Sequence, residues 1–272
     1  MRYGAMNFPI RPVLKELEAF AQLGFDYLEL TLDPPLAHYS IIRKQKDEIL
    51  DALQQHAMQL VCHLPTFVST ADLTQSIRDV SVHEMLRSLE TASELEAEKV
   101  VLHPSYIGGM GVYVMEEVKG YAFDSLGKVV FRAEQLGLCL CLENMFPKCM
   151  AFFEPDDFIE VFEIFPELKM TLDTGHACID SPKGKRLFDF LRIFGDRIGH
   201  VHASDNHGKR DDHLPIGKGS IDFPKFVKVL KEIGYNDTVT LEVFSENRID
   251  LKISREKFAG LLQRTYGTAV PP

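Results

Sequence analysis

The sequence lacks any segment that would cross or enter a membrane. No apolar run reaches the roughly 18 to 20 residues that a bilayer-spanning helix needs. The N-terminus, Met1-Arg2-Tyr3-Gly4, leads into a short apolar segment and has no pattern of a cleavable signal peptide. We therefore expect a cytoplasmic protein with no membrane partner.

Cysteine patterns that would indicate disulfides or a zinc knuckle are also missing. The five cysteines are odd in number and form no CxxC pair. They are Cys62, Cys139, Cys141, Cys149 and Cys178. We expect reduced and mostly buried thiols, with Cys139 and Cys141 on the same face of one strand.

Positive charge is scarce, which bears on nucleic acids as partners. The formal net charge is -10 at pH 7, and no run of five like charges occurs. Because phosphate backbones favour basic surfaces, nucleic acid is a disfavoured but not an excluded partner. A local positive cleft or bound cations can override the global charge.

A glycine-rich dinucleotide fingerprint is absent after the first predicted strand, where Asn7-Phe8-Pro9-Ile10 stand instead. Short apolar runs alternate with longer amphipathic stretches along the whole chain. We predict strands at 3–6, 27–31, 60–63, 99–103, 138–143, 169–173, 199–203 and 239–243. We predict helices near 10–23, 41–56, 76–96, 114–136, 155–164, 184–194, 222–233 and 254–265. Eight such pairs predict an α/β fold, a (β/α)8 TIM barrel forming a single domain over residues 1–272.

Six consecutive predicted strands, the third to the eighth, end in histidine or an acidic residue. These residues are His63, His103, Glu143, Asp173, His202 and Glu242. One histidine or carboxylate at a strand end often serves only as a hydrogen-bonding rim residue or a helix cap. Because the strand ends of a barrel meet at one mouth, so many uncompensated charges would be very costly there. Divalent metal ions remove that cost, and this ligand set suits zinc or manganese, with one to three ions per chain.

Several of these segments resemble the xylose isomerase-like barrel superfamily, which includes sugar phosphate isomerases and epimerases and the endonuclease IV family. The similar segments are Leu142-Glu143-Asn144, Asp173-Thr174-Gly175-His176, Val201-His202-Ala203-Ser204-Asp205-Asn206, residues 213–222 and Leu241-Glu242. The resemblance implies that Glu143, Asp173, His202 and Glu242 are the core metal ligands. In the ketose epimerases, the residues that match Glu143 and Glu242 also shuttle protons.

The resemblance to the endonuclease IV family adds five ligand-type residues, those expected to complete a three-zinc cluster. They are His63, His103, His176, Asp211 and His213. One divalent ion with four carboxylates leaves the site at about -2, whereas three ions leave it at about +2 and so attract phosphate. The substrate loops differ from that family, however. Thr66-Phe67 stand where it has a tyrosine-leucine pair, and Met145-Phe146-Pro147-Lys148 replace a glycine-rich loop.

Two functions follow as hypotheses. The first is favoured by the segment at residues 23–30, which resembles the sugar isomerase branch. The first is isomerisation or epimerisation of a sugar or sugar phosphate through a metal-stabilised enediolate, with Glu143 and Glu242 as acid and base and His176 orienting the substrate. The alternative is metal-assisted phosphodiester hydrolysis, by an AP endonuclease or an enzyme acting on a small phosphodiester.

The loops at the predicted mouth of the barrel supply substrate-binding candidates. They are Lys148, Arg210, Lys218, Phe67 and Phe146. His200 shares a strand face with His202 but lies two residues deeper, which suits a group that supports a metal ligand. Barrels of this type often dimerise, so a homodimer is left open.

Overall fold

The computed structural model describes residues 1–266, and it is a closed barrel of eight parallel strands. Each strand pairs with its neighbours in chain order, and β1 pairs with β8 to close the sheet. The strands are β1 Arg2–Met6, β2 Tyr27–Thr31, β3 Gln59–His63, β4 Lys99–Leu102, β5 Cys139–Glu143, β6 Lys169–Asp173, β7 Ile198–Ala203 and β8 Thr238–Leu241. The predicted TIM barrel is confirmed, and the strand ends fall within two residues of the predicted bounds.

Helices surround the barrel and occupy most of the predicted stretches. They are α1 Val13–Gln22, α2 Tyr39–Ile42, α3 Lys46–Gln55, α4 Gln75–Glu94, α5 Met115–Gln135, α6 Asp156–Ile164, α7 Thr174–Cys178, α8 Lys185–Phe194, α9 Phe223–Glu232 and α10 Ile249–Tyr266. Among residues 1–266, no helix is long and apolar enough to cross a membrane. All five cysteines are free thiols, and only Cys139 is not fully buried.

Three helical predictions were wrong in detail. The stretch predicted as one helix near 41–56 is broken by a 3₁₀ turn between α2 and α3. The last helix begins at Ile249, because the Asn247 side chain accepts a hydrogen bond from the Ile249 backbone N–H at 3.1 Å. The one-turn helix α7 was not predicted, since five residues are too few to show helical periodicity.

The barrel has an apolar outer layer and an unusually polar interior. Leucine, valine and phenylalanine side chains fill the space between strands and helices. Inside the barrel, the residues two positions before Asp173, His202 and Glu242 lie in a layer below the mouth, because alternate residues of a strand share a face. That layer includes the fully buried Thr171, His200 and Thr240. Polar groups therefore continue downward from the mouth into the barrel.

A close approach between the neighbouring strands β1 and β2 gives a stability prediction. The ring of the fully buried Tyr27 lies against Gly4, where an added Cβ would overlap the ring atoms. We expect Gly4→Ala to destabilise the fold by about 1–3 kcal/mol, as overpacked cores do. Gly120→Ala in α5 is the matched control, since an added Cβ meets no atom within 4 Å there and helical alanine is favoured. Urea unfolding measures both, and equal stability of the two variants would contradict this packing.

Candidate metal centre

The first group of ligand-type atoms is formed by the ends of β3, β4 and β5. The Glu143 Oε2 atom lies 3.6 Å from His63 Nε2 and 3.3 Å from His103 Nε2. All three ligand atoms lie within 4.8 Å of one another. Two imidazoles and a carboxylate in this arrangement form a ligand set suited to a zinc-like ion.

The second group shares Glu143 and adds the ends of β6, β7 and β8. The His202 Nδ1 atom lies 3.4 Å from Glu143 Oε2, 3.5 Å from Glu242 Oε2 and 3.9 Å from Asp173 Oδ2. These four ligand atoms also lie within 4.8 Å of one another. Glu143 is therefore common to both groups.

A third set comes from segments beyond the strand ends. The Asp211 Oδ2 atom lies 3.2 Å from His176 Nε2 and 2.9 Å from His213 Nε2. His176 lies on α7, whose N-terminus is capped by Asp173 through a 2.5 Å hydrogen bond from the His176 backbone N–H. Asp173 thus belongs to the second group and also fixes the position of His176 in the third set.

Three histidines are oriented by backbone carbonyls, which determines the nitrogen that faces the site. The Nδ1 atoms of His63, His176 and His213 lie 2.7, 2.9 and 3.2 Å from the carbonyl oxygens of Leu64, Asn144 and Glu242. A carbonyl only accepts, so each Nδ1 carries a proton and each Nε2 points toward the carboxylates. Such anchoring is typical of metal-binding histidines.

Buried polar atoms without partners mark the same place. Among the described residues, six of the eleven such side-chain atoms lie here: Glu143 Oε1 and Oε2, Asp173 Oδ2, His202 Nδ1, Asp211 Oδ1 and Glu242 Oε2. Buried polar atoms normally have hydrogen-bond partners, and unpaired carboxylates are especially costly. Because all these atoms belong to the three groups, the residues present fit bound divalent cations.

Burial and neighbouring charges raise the pKa values of three of these groups. Burial raises the pKa of Glu242 to about 8. Burial also lowers the pKa of His213, but the carboxylates of Glu242 and Asp211 outweigh it and raise that pKa to about 9. Burial likewise opposes protonation of His176, yet Asp173 and Asp211 raise its pKa well above the usual value. Protons thus occupy part of the site when metal is absent.

The loop that carries Asp211 and His213 is folded around one buried carboxylate. The Asp205 Oδ2 atom accepts from the Gly217 N–H at 2.9 Å, and Oδ1 accepts from the Ile221 N–H at 3.1 Å. His213 itself has a φ of 45°, a strained left-handed conformation for a residue with a side chain. Asp205 therefore holds in place a segment that presents two ligand-type side chains.

A cleft of about 740 Å³ opens directly over the three groups. Phe146 packs on the His176 ring at 5.0 Å between centroids, and Phe244 packs on the His213 ring at 4.3 Å. Phe67 at the rim is 88% exposed, which leaves its ring free to contact a ligand.

The cleft is lined by Phe67, Phe146 and Lys148 among the predicted substrate contacts. Arg210 and Lys218 are exposed and do not line it, so their roles stay predictions.

The structure brings all nine predicted metal ligands together: six line this cleft, and Glu143, Asp173 and His202 are buried against them. It also adds supporting residues that the sequence analysis missed. Asn144 braces β6, since its side-chain oxygen accepts from the Asp173 N–H at 2.8 Å. Glu29 lies below His202 inside the barrel. Asn144 and Asp205 belong to the same short segments as Glu143 and His202, the segments that resemble the xylose isomerase-like superfamily. That neighbourhood was the one sequence signal that could have identified them. Glu29 had only its position near the end of an apolar strand.

Comparison with protein families matches residues 17–263 to the family described as Xylose isomerase-like TIM barrel. An uncharacterized protein of Methanocaldococcus jannaschii is 33% identical over 85% of this chain and 87% of its own length. A probable endonuclease 4 of Aquifex aeolicus is 25% identical over 93% of this chain and 96% of its own length.

Among solved structures, the crystal structure of a D-tagatose 3-epimerase-like protein superposes with a TM-score of 0.89. It is 27% identical in sequence, and the match covers 99% of this chain and 100% of that one. The matches thus include both branches to which the site residues show resemblance.

The protonated histidines predict that metal binding releases protons. Both ring nitrogens of His176 and of His213 face acceptors, so each ring holds two protons without metal. At pH 7, loading the third set should release about two protons, in addition to the one that Glu242 of the second group loses. Release should fall as the pH rises through about 9, where the His213 proton is already lost. Calorimetric titration with manganese in buffers of different ionisation enthalpy gives the proton count. A value near zero at pH 7 would contradict the assignment, and His213→Asn should remove one proton.

Proposed function

Because the chain belongs to the xylose isomerase-like TIM barrel family, we propose that it is a metal-dependent hydrolase of phosphoesters with a three-ion centre. The observation that carries the proposal is the division of nine ligand-type side chains into three adjacent sets around the shared Glu143. Zinc suits the proportion of imidazole to carboxylate in these sets.

The charge of the site supports a phosphoester over a neutral sugar. Four carboxylates face the three sets: Glu143, Asp173, Asp211 and Glu242. With three divalent ions the net charge is about +2, which attracts an anion, whereas a single ion leaves about -2. Divalent ions bound there would polarise phosphoryl oxygens and lower the pKa of water toward neutrality.

The protein's own side chains would position the substrate. Lys148 is the only lysine or arginine lining the described cleft, so its ammonium group is the candidate partner for a phosphate oxygen. Phe146 and Phe244 cover the outer faces of His176 and His213. These rings would present an apolar surface to the organic part of the substrate.

The cleft favours a small phosphoester over duplex DNA. Tracking a duplex backbone needs several lysine or arginine contacts, and the cleft offers Lys148 alone in a chain of net charge -10. A volume of about 740 Å³ is in the range of small-molecule sites. We therefore propose a small phosphodiester or phosphomonoester as substrate.

A sugar isomerase or epimerase is the second candidate, favoured by a different observation. Glu143 and Glu242 face the same point within the second group, as an acid and a base on opposite sides of a chelated sugar would. His176 lies beside Glu143, with 3.2 Å between His176 Nδ1 and Glu143 Oε1, where it would orient a substrate oxygen. The likeness to a D-tagatose 3-epimerase-like protein agrees with this alternative.

The two candidates differ in their dependence on Asp211, which belongs only to the third set. If the protein is a three-ion hydrolase, Asp211→Asn should reduce phosphoester hydrolysis by at least about 100-fold, since losing an ion removes several kcal/mol of charge stabilisation. Asp212→Asn is the matched control, because its carboxylate accepts from the His207 backbone N–H and touches no ligand. Hydrolysis is followed on bis-p-nitrophenyl phosphate, p-nitrophenyl phosphate and an abasic-site duplex.

The alternative outcome is equally concrete. Zinc- or manganese-loaded protein that hydrolyses none of these substrates, but exchanges the α-proton of a ketose or ketose phosphate with deuterated solvent, would overturn the hydrolase proposal. Cleavage of the duplex at a rate far above that of the small esters would instead identify DNA as the substrate.

A further inference from the structure

Below the second group, the barrel interior contains a buried carboxylate that faces away from the cleft. Glu29, on β2, is fully buried. Its Oε1 atom lies 2.9 Å from His202 Nε2, and its Oε2 atom lies 3.0 Å from His200 Nε2. Oε2 also accepts the hydroxyl proton of Thr240. One carboxylate thus joins β2 to both histidines of β7 and to β8.

Donor and acceptor roles in this network follow from the chemistry of its members. A carboxylate only accepts, so His202 and His200 each carry a proton on Nε2. His202 therefore has Nδ1 available as a lone pair, and that atom is buried without a hydrogen-bond partner among the second group. The tautomer that Glu29 requires is the one that a metal ion in the second group needs.

The network continues to the lower end of the barrel. His200 Nδ1 lies 2.7 Å from Thr238 Oγ1, and Lys99 Nζ donates to that hydroxyl at 3.2 Å. Lys99 Nζ also lies 2.5 Å from Asp237 Oδ2, whose side chain is 40% exposed. Because each hydroxyl here can both accept and donate, every hydrogen bond in the series has a consistent direction.

The cluster of Glu29, His200 and His202 has ligand spacing of its own, but its geometry argues against a metal ion there. Both Glu29 oxygens and both His200 nitrogens already have hydrogen-bond partners. In the second group, by contrast, each ligand residue has a buried oxygen or nitrogen without a partner. The cluster is therefore a support for the centre and not a further ion site.

We propose that Glu29 is a positioning residue for the metal ion of the second group. It fixes the His202 ring, enforces the tautomer with Nδ1 toward the ion, and adds negative charge behind the imidazole. The hydrogen bond and the negative charge raise the basicity of the ligand nitrogen, as carboxylates hydrogen-bonded to metal-ligating histidines do. The inference rests on metal binding in the proposed function, but it requires only the second group and not all three ions.

Glu29→Gln tests the inference without an activity assay. In either orientation of the amide, one histidine faces an N–H in place of an oxygen, and the charge is lost. We expect about 10- to 100-fold weaker binding of one metal ion, with binding to His176, Asp211 and His213 unchanged. Competition titrations with a zinc-binding dye would resolve the affinity classes, and cobalt absorption spectra would report on the affected site.

Thr240→Val is the matched control, because it removes a donor to Glu29 but leaves both histidine contacts. It should weaken metal binding less than threefold. Unchanged affinity for every ion in Glu29→Gln would overturn the inference. Equal losses in both variants would also overturn it, since they would indicate general loosening of the barrel.

Should Glu29→Gln fail to fold, the wild-type protein still provides a test. In the cadmium-loaded form, nitrogen NMR should show coupling of the metal to His202 Nδ1 and a proton on Nε2. Coupling to Nε2 would overturn the proposed role of Glu29. Fewer than three ions in the wild-type protein would instead contradict the three-ion hydrolase and leave the role of Glu29 intact.

Discussion

A buried carboxylate without a hydrogen-bond partner is the constraint from which the architecture of this site follows. Neither oxygen of the fully buried Glu143 has a hydrogen-bond partner, yet histidines from β3, β4 and β7 lie within 3.6 Å of Oε2. Removing such a charge from water costs several kcal/mol unless cations or donors compensate. Positive charge at this point is therefore a requirement of the fold as well as of the chemistry.

The parallel barrel is what makes this concentration of charge possible. Residues far apart in the sequence meet because all strand ends open at one mouth, and the strand period of two keeps each ligand on the inner face. Below the mouth, the network from Glu29 through His200 to Lys99 fills part of the barrel interior, beside the buried apolar cluster of Tyr27, Val61 and Val101. The ligand-type side chains are thus supported from beneath by hydrogen bonds and from the side by backbone carbonyls.

Much of the candidate site could be predicted, because residues at the ends of the strands of a parallel barrel converge at one mouth. His63 and Asp173 each close a short apolar run, so their positions in a barrel determine that they converge. His176 was predicted only through the family resemblance. Its position depends on the one-turn helix α7 and on the Asp173 cap, and neither feature has a periodicity to detect. Glu29 was missed because a single carboxylate in a strand does not reveal which side chains face it across the barrel. The distance of Arg210 from the cleft depends on loop shape, which local sequence does not determine.

The central claim is that three ions are bound around the shared carboxylate of Glu143. It is tested most directly by anomalous diffraction at the zinc edge from crystals of the zinc-loaded protein. We predict three peaks, one within each of the three sets of ligand-type residues. A single peak among Glu143, Asp173, His202 and Glu242, at saturating zinc, would contradict the account.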